Sequence, residues 1–404
     1  MKKIAILGCT GSIGRQCLQV VDALPGRFEV VSMAAGSNVA LVAEQVKRHR
    51  PKVVSVGTEK AANELRAALA LGRAGDGGPS NGGALPEILF GAEGIERVAI
   101  HPEAEMVLSA AVGVVGLPAT YKAIQHGKHI ALANKEVLVA AGELVMAAVE
   151  RHGVALLPVD SEHNAIHQCM RGGERGEVKR LVLTASGGPF RQTSAAELEH
   201  VTPEQALAHP NWKMGRRITV DSATLMNKGF EVIEARWLFG MPLEKIQVVI
   251  HPQSTVHSMV EYVDGSILAQ LGPTDMRMPI QYALTYPERM ASNQCALDWS
   301  SLRRLDFEAV PSGKFPCLEL AREALRRGGL LPCALNAADE VAIAAFLERK
   351  LPFLGIAKVI EGVLGRMPGA ALNSIDELVA ADAEARRLAQ DEVERQCSAV
   401  KHAG

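Results

Sequence analysis

The sequence predicts an α/β protein made of three consecutive regions: an N-terminal doubly wound parallel sheet, a central α+β region and a C-terminal helical bundle. Three observations support this. Short β-branched runs alternate with helical periodicity up to about residue 160, strands and helices then mix up to about residue 290, and only helical periodicity follows residue 314. With 404 residues, 48% of them hydrophobic, the chain has enough apolar side chains for two or three domains with large cores.

The overall charge argues against several classes of partner. The chain has 43 Lys and Arg against 45 Asp and Glu, a formal net charge of -2, and only 4% aromatic residues. It therefore lacks the cationic field and the stacking side chains typical of nucleic-acid-binding proteins. The longest uncharged stretch, 106–121, is interrupted by glycines and a proline, so it is a poor candidate for a membrane span. We expect neither a nucleic-acid nor a membrane partner.

The cysteines and the first residues bear on the cellular compartment. The seven cysteines are scattered and form no C-x-x-C pair, so we interpret them as reduced thiols. The apolar run Ile4–Leu7 is too short for a secretory signal. We expect a cytoplasmic protein.

The region 1–160 carries the βαβ pattern of one doubly wound domain. Residues 72–94 are so rich in Gly and Pro that we expect a loop without regular structure. Strands are predicted at 4–7, 28–34, 53–56, 96–100, 106–109, 129–132 and 154–159, and helices at 16–23, 39–48, 118–126 and 136–151.

A separate α+β domain is predicted over 161–290, a linker over 291–314 and a helical domain over 315–404. The linker is rich in polar residues and proline. Strands are predicted at 179–185, 247–250, 257–262 and 266–270, and helices at 222–239, 317–327, 333–348, 355–364 and 374–394.

The first chemical signal is the glycine-rich turn from Gly8 to Gly14, which follows the first predicted strand and opens the first predicted helix. Glycines allow close backbone approach, and the helix N-terminus presents free N–H groups to a pyrophosphate. The spacing G-x-x-G-x-x-G is one step away from the usual dinucleotide fingerprint, and the alternative is a turn that is glycine-rich only for packing. Its place between strand and helix favours dinucleotide binding.

The end of the second strand bears on the choice of cofactor. An NAD site usually has Asp or Glu there to hold the ribose hydroxyls. Here the residues are Ala34 to Asn38, with no carboxylate to repel a 2′-phosphate and no Arg or Lys to attract one. This favours NADP over NAD, and the alternative is a plain turn.

Two acids follow the strand predicted at 154–159. In an extended chain the side chains of Asp160 and Glu162 point the same way and can share one hard cation. The alternative is that these acids are solvated or cap a helix.

The stretch from Val220 to Glu231 strengthens the metal interpretation, because it places hydroxyl, amide, ammonium and carboxylate groups within a few residues. Ser222, Asn227 and Lys228 can donate to a phosphate, while Glu231 can complete an oxygen shell for Mg²⁺ or Mn²⁺. Alternatively Ser222 is only a helix cap, Glu231 is only a solvated acid, or Glu234 is the ligand.

Three shorter segments are weaker candidates. Residues 184–190 end a strand with hydroxyls and glycines, which suits a phosphate or a simple turn. Lys135 stands at a strand-to-helix corner, where ligands gather in such sheets and where an isolated lysine is often just solvated. Residues 209–215 combine His209, Trp212 and Gly215 without periodicity, as in a lid over an active site or in a surface loop with a buried tryptophan.

Assembled, these segments closely resemble the 1-deoxy-D-xylulose 5-phosphate reductoisomerase family. The motifs GCTGSIG, LANKE, PVDSEHNAI, SGGPF, HPNWKMG, DSATLMNKGFE and HPQSTVHSMV stand in that family's order and extend over nearly the whole chain. The resemblance implies a Rossmann-like N-terminal domain, a central catalytic domain and an oxidoreductase of non-mevalonate isoprenoid biosynthesis. The implied reaction rearranges the phosphosugar to an aldehyde and reduces it with NADPH to 2-C-methyl-D-erythritol 4-phosphate.

The resemblance also implies roles for individual residues. The implied ligands of Mg²⁺ or Mn²⁺ are Asp160, Glu162 and Glu231, and Lys135 and His209 join them as catalytic residues. A lid over about 203–217 is implied to close on the substrate. The implied substrate-binding residues are Lys135, Ser161, Glu162, Ser186, His209, Trp212, Met214, Ser222, Asn227, Lys228 and Glu231.

The implied NADPH site includes Ser37, where the family's relatives carry a basic residue, so the preference for NADPH over NADH stays open at this stage. A homodimer is implied by the resemblance alone. The implied cofactor-binding residues are Thr10, Gly11, Ser12, Ile13, Gly36, Ser37, Asn38, Asn134, Glu136 and Gly215.

Two other classes of function are compatible with parts of the sequence. One is a different NAD(P)-linked enzyme, such as a homoserine-type or a semialdehyde dehydrogenase, and none of the seven cysteines stands in a nucleophile motif of the latter. The other is a dinucleotide sensor without catalysis, which would have no use for Asp160, Glu162 and Glu231 together with Lys228.

Overall fold

The computed structural model describes residues 1–75, 85–212, 214–291, 296–300 and 302–403. By compactness the chain divides into two units. The predicted boundaries at 160, 290 and 314 rest on changes of sequence pattern and stay predictions. Unit 1 comprises Met1–Val137, Val145–Asn164 and Met276–Cys295, and unit 2 comprises Leu138–Leu144, Ala165–Asp275 and Ala296–Gly404.

Parallel strands form the centre of unit 1. They are β1 (Lys2–Leu7), β2 (Phe28–Ala34), β3 (Val53–Val56), β4 (Glu87–Phe90), β5 (Met106–Ser109), β6 (His129–Leu132) and β7 (Leu156–Pro158). Within the described residues they form a seven-stranded sheet in the order β4-β3-β2-β1-β5-β6-β7, and every pair is parallel. The chain reverses direction across the sheet between β1 and β5, and ligands bind at the carboxyl ends of strands at such a switch point.

Helices connect these strands, and one more helix follows β7. They are α1 (Ser12–Ala23), α2 (Val39–His49), α3 (Glu59–Gly75), α4 (Gly91–Ala99), α5 (Leu117–Gln125), α6 (Glu136–His152) and α7 (Ser161–Cys169). Apolar faces repeat at helical spacing, as in α1, where Gly14, Cys17 and Leu18 are buried. The predicted βαβ pattern is therefore confirmed.

Two predictions for unit 1 are wrong. Residues 72–94 are not one irregular loop, because α3 continues to Gly75 and β4 and the start of α4 fall inside this range. Residues 76–84 lie outside the described residues. The strand predicted at 96–100 is the end of α4, where Gly94 and Val98 are buried four residues apart, as a helical face requires.

Unit 2 contains a mixed β-sheet. Its strands are β8 (Val178–Ala185), β9 (Ile246–Ile250), β10 (Val256–Tyr262), β11 (Ile267–Leu271) and the short β12 (Glu308–Ala309). In the part of the chain that is described, they form a five-stranded sheet in the order β11-β10-β8-β9-β12, with β8 and β9 parallel and the other pairs antiparallel.

Helices α8 (Pro203–Ala206), α9 (Arg216–Thr224) and α10 (Met226–Phe239) lie between β8 and β9 in the chain. The single helix predicted at 222–239 is wrong, because Leu225 adopts the left-handed conformation with φ 59° and separates α9 from α10. Helix α11 (Arg277–Thr285) follows the sheet and belongs to unit 1.

Four helices end the chain: α12 (Pro316–Arg327), α13 (Leu331–Leu347), α14 (Gly355–Arg366) and α15 (Ile375–Ala403). The predicted helical C-terminal region is confirmed, as is the α/β class. One hydrophobic cluster joins Val220 of α9 and Phe230 of α10 to Phe346 of α13 and Ile360 of α14. The terminal helices thus share a core with the helices of the central region. Of the described helices, none has both the length and the apolar composition needed to cross a bilayer.

Candidate active site

The glycine-rich turn lies where it was predicted, between β1 and α1 in unit 1. Gly8 has φ +91°, and a Cβ on Gly8 would stand 2.4 Å from the carbonyl oxygen of Ala110. A Cβ on Gly14 would stand 2.2 Å from the carbonyl oxygen of Gly8. Both positions therefore require glycine. Gly11 precedes α1 and offers it no side-chain cap, so a bound anion can accept hydrogen bonds from the N–H groups of the first helical turn.

The other side chains of this turn have local roles in the structure. Ser12 is exposed and accepts a hydrogen bond from Gln16 at 3.2 Å, and Ile13 packs against the core of unit 1. Thr10 lies at the half-buried edge of the turn. The backbone of this segment, more than its side chains, is what a pyrophosphate would meet.

Residues 35–38 join the end of β2 to the start of α2. Asn38 caps that helix, because its side-chain oxygen accepts the backbone N–H of Leu41 at 3.2 Å. Ser37 is exposed and Gly36 is bound through its carbonyl oxygen to the N–H of Gly57 at 2.9 Å. Ser37 thus presents an exposed side chain at the strand end where a ribose is expected.

A second strand end in unit 1 carries Asn134 and Glu136. The amide nitrogen of Asn134 donates to the carbonyl oxygens of Ala111 and, at 2.9 Å, of Gly113. Glu136 accepts the N–H of Gly113 at 3.2 Å. These two side chains hold the loop that follows β5, the strand across the switch point from β1.

The acidic pair lies after β7. Asp160 forms an ion pair with Lys135, and both side chains are largely buried, 14% exposed. Glu162 accepts a hydrogen bond from Ser161, and one carboxylate oxygen of Asp160 lies within 4.8 Å of one from Glu162. The two acids can therefore bind one cation, but the reason given from the sequence is wrong: Glu162 lies in the first turn of α7, not in an extended chain.

In unit 2 the turn after β8 approaches α9. Gly187 and Gly188 have φ +82° and +65°, and a Cβ on Gly188 would stand 2.7 Å from the carbonyl oxygen of Ser222. This close approach places the turn that carries Ser186 against the backbone of α9 at Ser222. Ser222 is a buried residue inside α9, so the interpretation of it as a helix cap is wrong.

Ser186 also binds His209. The Ser186 Oγ lies 2.9 Å from His209 Nε2, while His209 Nδ1 accepts the backbone N–H groups of Asn211 and Trp212 at 3.1 and 2.9 Å. Because Nδ1 accepts two hydrogen bonds, the neutral ring carries its proton on Nε2 and donates to Ser186. Burial lowers the pKa of His209 and so favours this neutral form.

The first two turns of α10 carry a buried charged cluster. Glu231 is fully buried and accepts hydrogen bonds from Asn227, at 2.6 Å, and from Lys228. Lys228 is itself only 3% exposed. Burying such a pair is costly, so its retention here indicates a use other than stability. Glu234, one turn further along α10, is also buried.

The segment predicted as a lid is irregular only between α8 and α9, and Lys213 within it lies outside the described residues. Trp212 lies half-buried, with its ring centroid 6.3 Å from that of His257. Met214 is half-buried, and Gly215 precedes α9 and binds the Thr219 N–H through its carbonyl oxygen at 3.1 Å.

Three further residues of this site were not singled out from the sequence. The amide nitrogen of Asn211 donates to the carbonyl oxygen of Pro252 and, at 2.9 Å, to the hydroxyl of Ser254. His257 faces Trp212. The motif HPQSTVHSMV contains two of these residues, but its polar side chains follow no spacing that indicates a chemistry by itself.

Unit 1 thus offers a dinucleotide-binding sheet edge and a pair of carboxylates. Unit 2 offers hydroxyl, imidazole, amide and ammonium donors of the kind that bind a phosphate, beside a buried carboxylate. The class of protein that these features define is a nicotinamide-dependent enzyme for a small anionic substrate.

Comparison with known proteins identifies the family. The sequence profile of 1-deoxy-D-xylulose 5-phosphate reductoisomerase matches residues 4–142, that of its C-terminal domain matches 156–239, and that of the DXP reductoisomerase C-terminal domain matches 271–388. The chain is 51% identical over 388 residues to the 1-deoxy-D-xylulose 5-phosphate reductoisomerase of Pelotomaculum thermopropionicum, covering 96% of this chain and 97% of the relative. It is 53% identical to that of Symbiobacterium thermophilum, covering 97% and 99%.

Solved structures agree. The Zymomonas mobilis enzyme in complex with NADPH is 45% identical, with a TM-score of 0.89 over 97% of this chain and 99% of that one. A DOX-P reductoisomerase in complex with NADPH, fosmidomycin and magnesium is 38% identical, with a TM-score of 0.89 over 98% of both chains. The chain belongs to the 1-deoxy-D-xylulose 5-phosphate reductoisomerase family. The family and enzyme class expected from the motifs are confirmed, and the two alternative classes of function are set aside.

Proposed function

We propose that this chain converts 1-deoxy-D-xylulose 5-phosphate to 2-C-methyl-D-erythritol 4-phosphate, using NADPH and a divalent cation. Membership of the family supports the reaction. The observation on which the proposal most depends is the buried cluster in α10, where Lys228 and Asn227 both bind Glu231. A sensor that only bound a dinucleotide would gain nothing from this cluster.

The phosphate subsite is proposed to consist of Ser186, Ser222, Asn227 and Lys228, with His209 beside it. Ser186 and Ser222 belong to segments that approach within van der Waals contact, and Ser186 is fixed by His209 at 2.9 Å. Lys228 supplies the positive charge in a water-poor environment, where its interaction with a phosphate is strong.

The residues present fit a hard cation. Asp160 and Glu162 provide oxygens within 4.8 Å of each other, and Glu231 provides a buried carboxylate. We propose these three as the ligands of Mg²⁺ or Mn²⁺, ions that prefer such oxygens. When bound, the cation polarises the substrate carbonyl and stabilises an alkoxide. Lys135 orients Asp160 through their ion pair, and Ser161 orients Glu162 through a hydrogen bond.

NADPH is proposed to lie along the carboxyl ends of the unit 1 strands. Gly11 to Ile13 offer backbone N–H groups to the pyrophosphate, Thr10 lies beside them, and Gly36 to Asn38 lie where the adenosine ribose is expected. Asn134 and Glu136 position the loop after β5 through their bonds to Gly113. Trp212, Met214 and Gly215 are proposed to close over the reacting groups and exclude water.

A cytoplasmic homodimer is also proposed. The described cysteines are free, in keeping with a reducing compartment. Strand β11 lies at one edge of its sheet and exposes Ile267 (55%) and Leu268 (39%), while Val263 nearby is 66% exposed. An apolar edge strand of this kind invites pairing with a second copy. Light scattering of the wild type and of an Ile267→Lys variant tests this, and a monomeric wild type contradicts it.

The activity is tested by following NADPH oxidation with 1-deoxy-D-xylulose 5-phosphate, with added Mg²⁺ or Mn²⁺ and with a chelator. We expect oxidation that requires the substrate and the metal. The same assay with NADH measures the cofactor preference. A folded preparation that binds NADPH but does not oxidise it would contradict the proposed function.

A further inference from the structure

Helix α13 carries polar residues where its position in the core calls for apolar ones. Asn336 and Asp339 are both 0% exposed, and the rest of the buried face of α13 is apolar. Burying an amide and a carboxyl is costly unless each finds a partner. Their shared partner is Arg217, which lies in the first turn of α9.

The guanidinium of Arg217 binds side chains on one face of α13. It donates to the side-chain oxygen of Asn336 at 2.7 Å and to Glu340 at 2.7 Å, and it lies 3.6 Å from a carboxylate oxygen of Asp339. The same group lies 3.7 Å from Asp221 in its own helix. A planar fork of N–H donors can serve several acceptors at once in a fixed geometry.

The charge on Arg217 keeps this acidic cluster stable inside the protein. Burial, and next the negative charge of Asp221, raise the pKa of Asp339 well above its usual range, and Arg217 acts in the opposite direction. Without the guanidinium, Asn336 and Glu340 would lose the donor that links them to α9, and the contact between α9 and α13 would loosen.

Helix α9 leads directly to the phosphate subsite. Gly215, where the irregular segment ends, precedes Arg217 by two residues, and Ser222 follows it by five in the same helix. The Ser222 carbonyl oxygen also lies against Gly188, since a Cβ on Gly188 would stand only 2.7 Å from that oxygen. A small rotation of α9 would therefore displace Ser222 from the turn that carries Ser186.

We propose that Arg217 is a positioning residue for substrate binding, which fixes helix α9 against α13 and so holds Ser222 in place for the phosphate. This rests on the proposed phosphate subsite. Arg217 does not contact the substrate; it acts by holding helix α9 in position.

A matched control is present in the same network. Arg386 of α15 binds the second oxygen of Glu340 at 2.6 Å and Asp382 at 2.6 Å. Its removal disturbs the same acidic cluster and the same bundle, but among the described residues the hydrogen bonds and ion pairs of Arg386 go to α13 and α15 and not to α9.

The experiment compares Arg217→Met with Arg386→Met. For each we measure the thermal midpoint, the KM values for 1-deoxy-D-xylulose 5-phosphate and for NADPH, kcat, and the Kd of inorganic phosphate by calorimetry. We expect both variants to be less thermostable. We expect only Arg217→Met to raise the KM for the phosphosugar and the Kd of phosphate, each about tenfold, with an unchanged KM for NADPH.

Asn336→Leu is a second variant, in case Arg217→Met does not fold. It removes one acceptor of Arg217 and keeps the charge, so we expect an increase of about threefold in the Kd of phosphate. Unchanged phosphate affinity in folded Arg217→Met or Asn336→Leu would overturn the proposal, as would equal losses in Arg386→Met. If the wild type binds phosphate but turns over no substrate, the proposed reaction fails, and the phosphate measurements still decide the role of Arg217.

Discussion

The two units build their sites in different ways. In unit 1 the turn at Gly8 to Gly14 is shaped by the absence of side chains, since Cβ atoms at either end would lie 2.4 Å or less from a carbonyl oxygen. In unit 2 the site is made of buried side chains that bind one another, such as Lys228 with Glu231 and Ser186 with His209. A backbone site leaves a spacing in the sequence, whereas a side-chain site depends on distant segments meeting.

This difference predicts that cofactor binding and substrate binding can be impaired separately by mutation. Changes in unit 1 turns alter cofactor affinity, and changes in unit 2 alter substrate binding or turnover. The predictions below test that separation, beginning with the largest expected effect.

Glu231→Gln is expected to lower kcat/KM about a thousandfold, because it removes a negatively charged ligand from the proposed metal site. The Kd of NADPH, measured by calorimetry, is expected to stay nearly unchanged. The exposed Glu244, changed to Gln, serves as the control in the same unit. Undiminished turnover in Glu231→Gln would remove this residue from the metal site.

Gly14→Ala is expected to raise the Kd of NADPH roughly thirtyfold, corresponding to about 2 kcal/mol of strain, because the new methyl group would press on the Gly8 carbonyl at 2.2 Å. Phosphate affinity is expected to be unaffected. Gly176→Ala is the control, since a Cβ there meets nothing within 4 Å. Equal losses of affinity for NADPH and for phosphate would contradict the proposed difference between the units.

Trp212→Ala is expected to raise the KM for the phosphosugar about tenfold while changing the KM for NADPH much less, because a large half-buried ring is lost from the proposed lid. Trp299, which is 72% exposed, provides the matched control as Trp299→Ala. Equal effects on the two KM values would indicate a role for Trp212 in the core instead.

Ser37→Arg is expected to increase the preference for NADPH over NADH by about fivefold, because a guanidinium at this exposed position can pair with a 2′-phosphate. The ratio of kcat/KM for the two cofactors measures it, and Ser37→Gln controls for side-chain length. A ratio that stays constant would place the ribose elsewhere.

The smallest effect concerns pH. Burial lowers the pKa of His209 below the value of about 6.5 expected in the unfolded chain. Between the two values the unfolded state binds more protons, so this contribution to stability is complete above pH 6.5 and declines as the pH falls. Between pH 7 and pH 5, the thermal midpoint of the wild type is expected to fall a degree or two more than that of His209→Gln. His126→Gln is the control, and identical pH slopes would contradict the assignment.

Local sequence signals account for the parts of the fold that were predicted correctly. Most strands and helices of both units follow from periodicity, but β4 and β12 were not predicted, and the segment 96–100, predicted as a strand, is the end of α4. The break at Leu225 was missed because a left-handed leucine has no local signature. Where tertiary contacts decide a short segment, propensity gives the wrong answer.

The candidate site shows the same division. The turn from Gly8 to Gly14 could be predicted from its glycines and from its place between a predicted strand and a predicted helix. Asp160 and Glu162 were paired for a wrong geometric reason, since Asp160 directly precedes α7 and Glu162 lies in its first turn, not in an extended chain. Asn211 and Ser254 meet only through the fold, 43 residues apart in sequence, so spacing could not reveal them.

The most direct test of the central claim is an NMR analysis of the product formed from 1-deoxy-D-xylulose 5-phosphate, NADPH and Mg²⁺. Rearrangement places the methyl group on a carbon without hydrogen, so the account predicts a methyl singlet, with one product formed for each NADPH oxidised. Simple reduction of the ketone would leave a methyl doublet. A doublet would show a plain dehydrogenase and contradict the account.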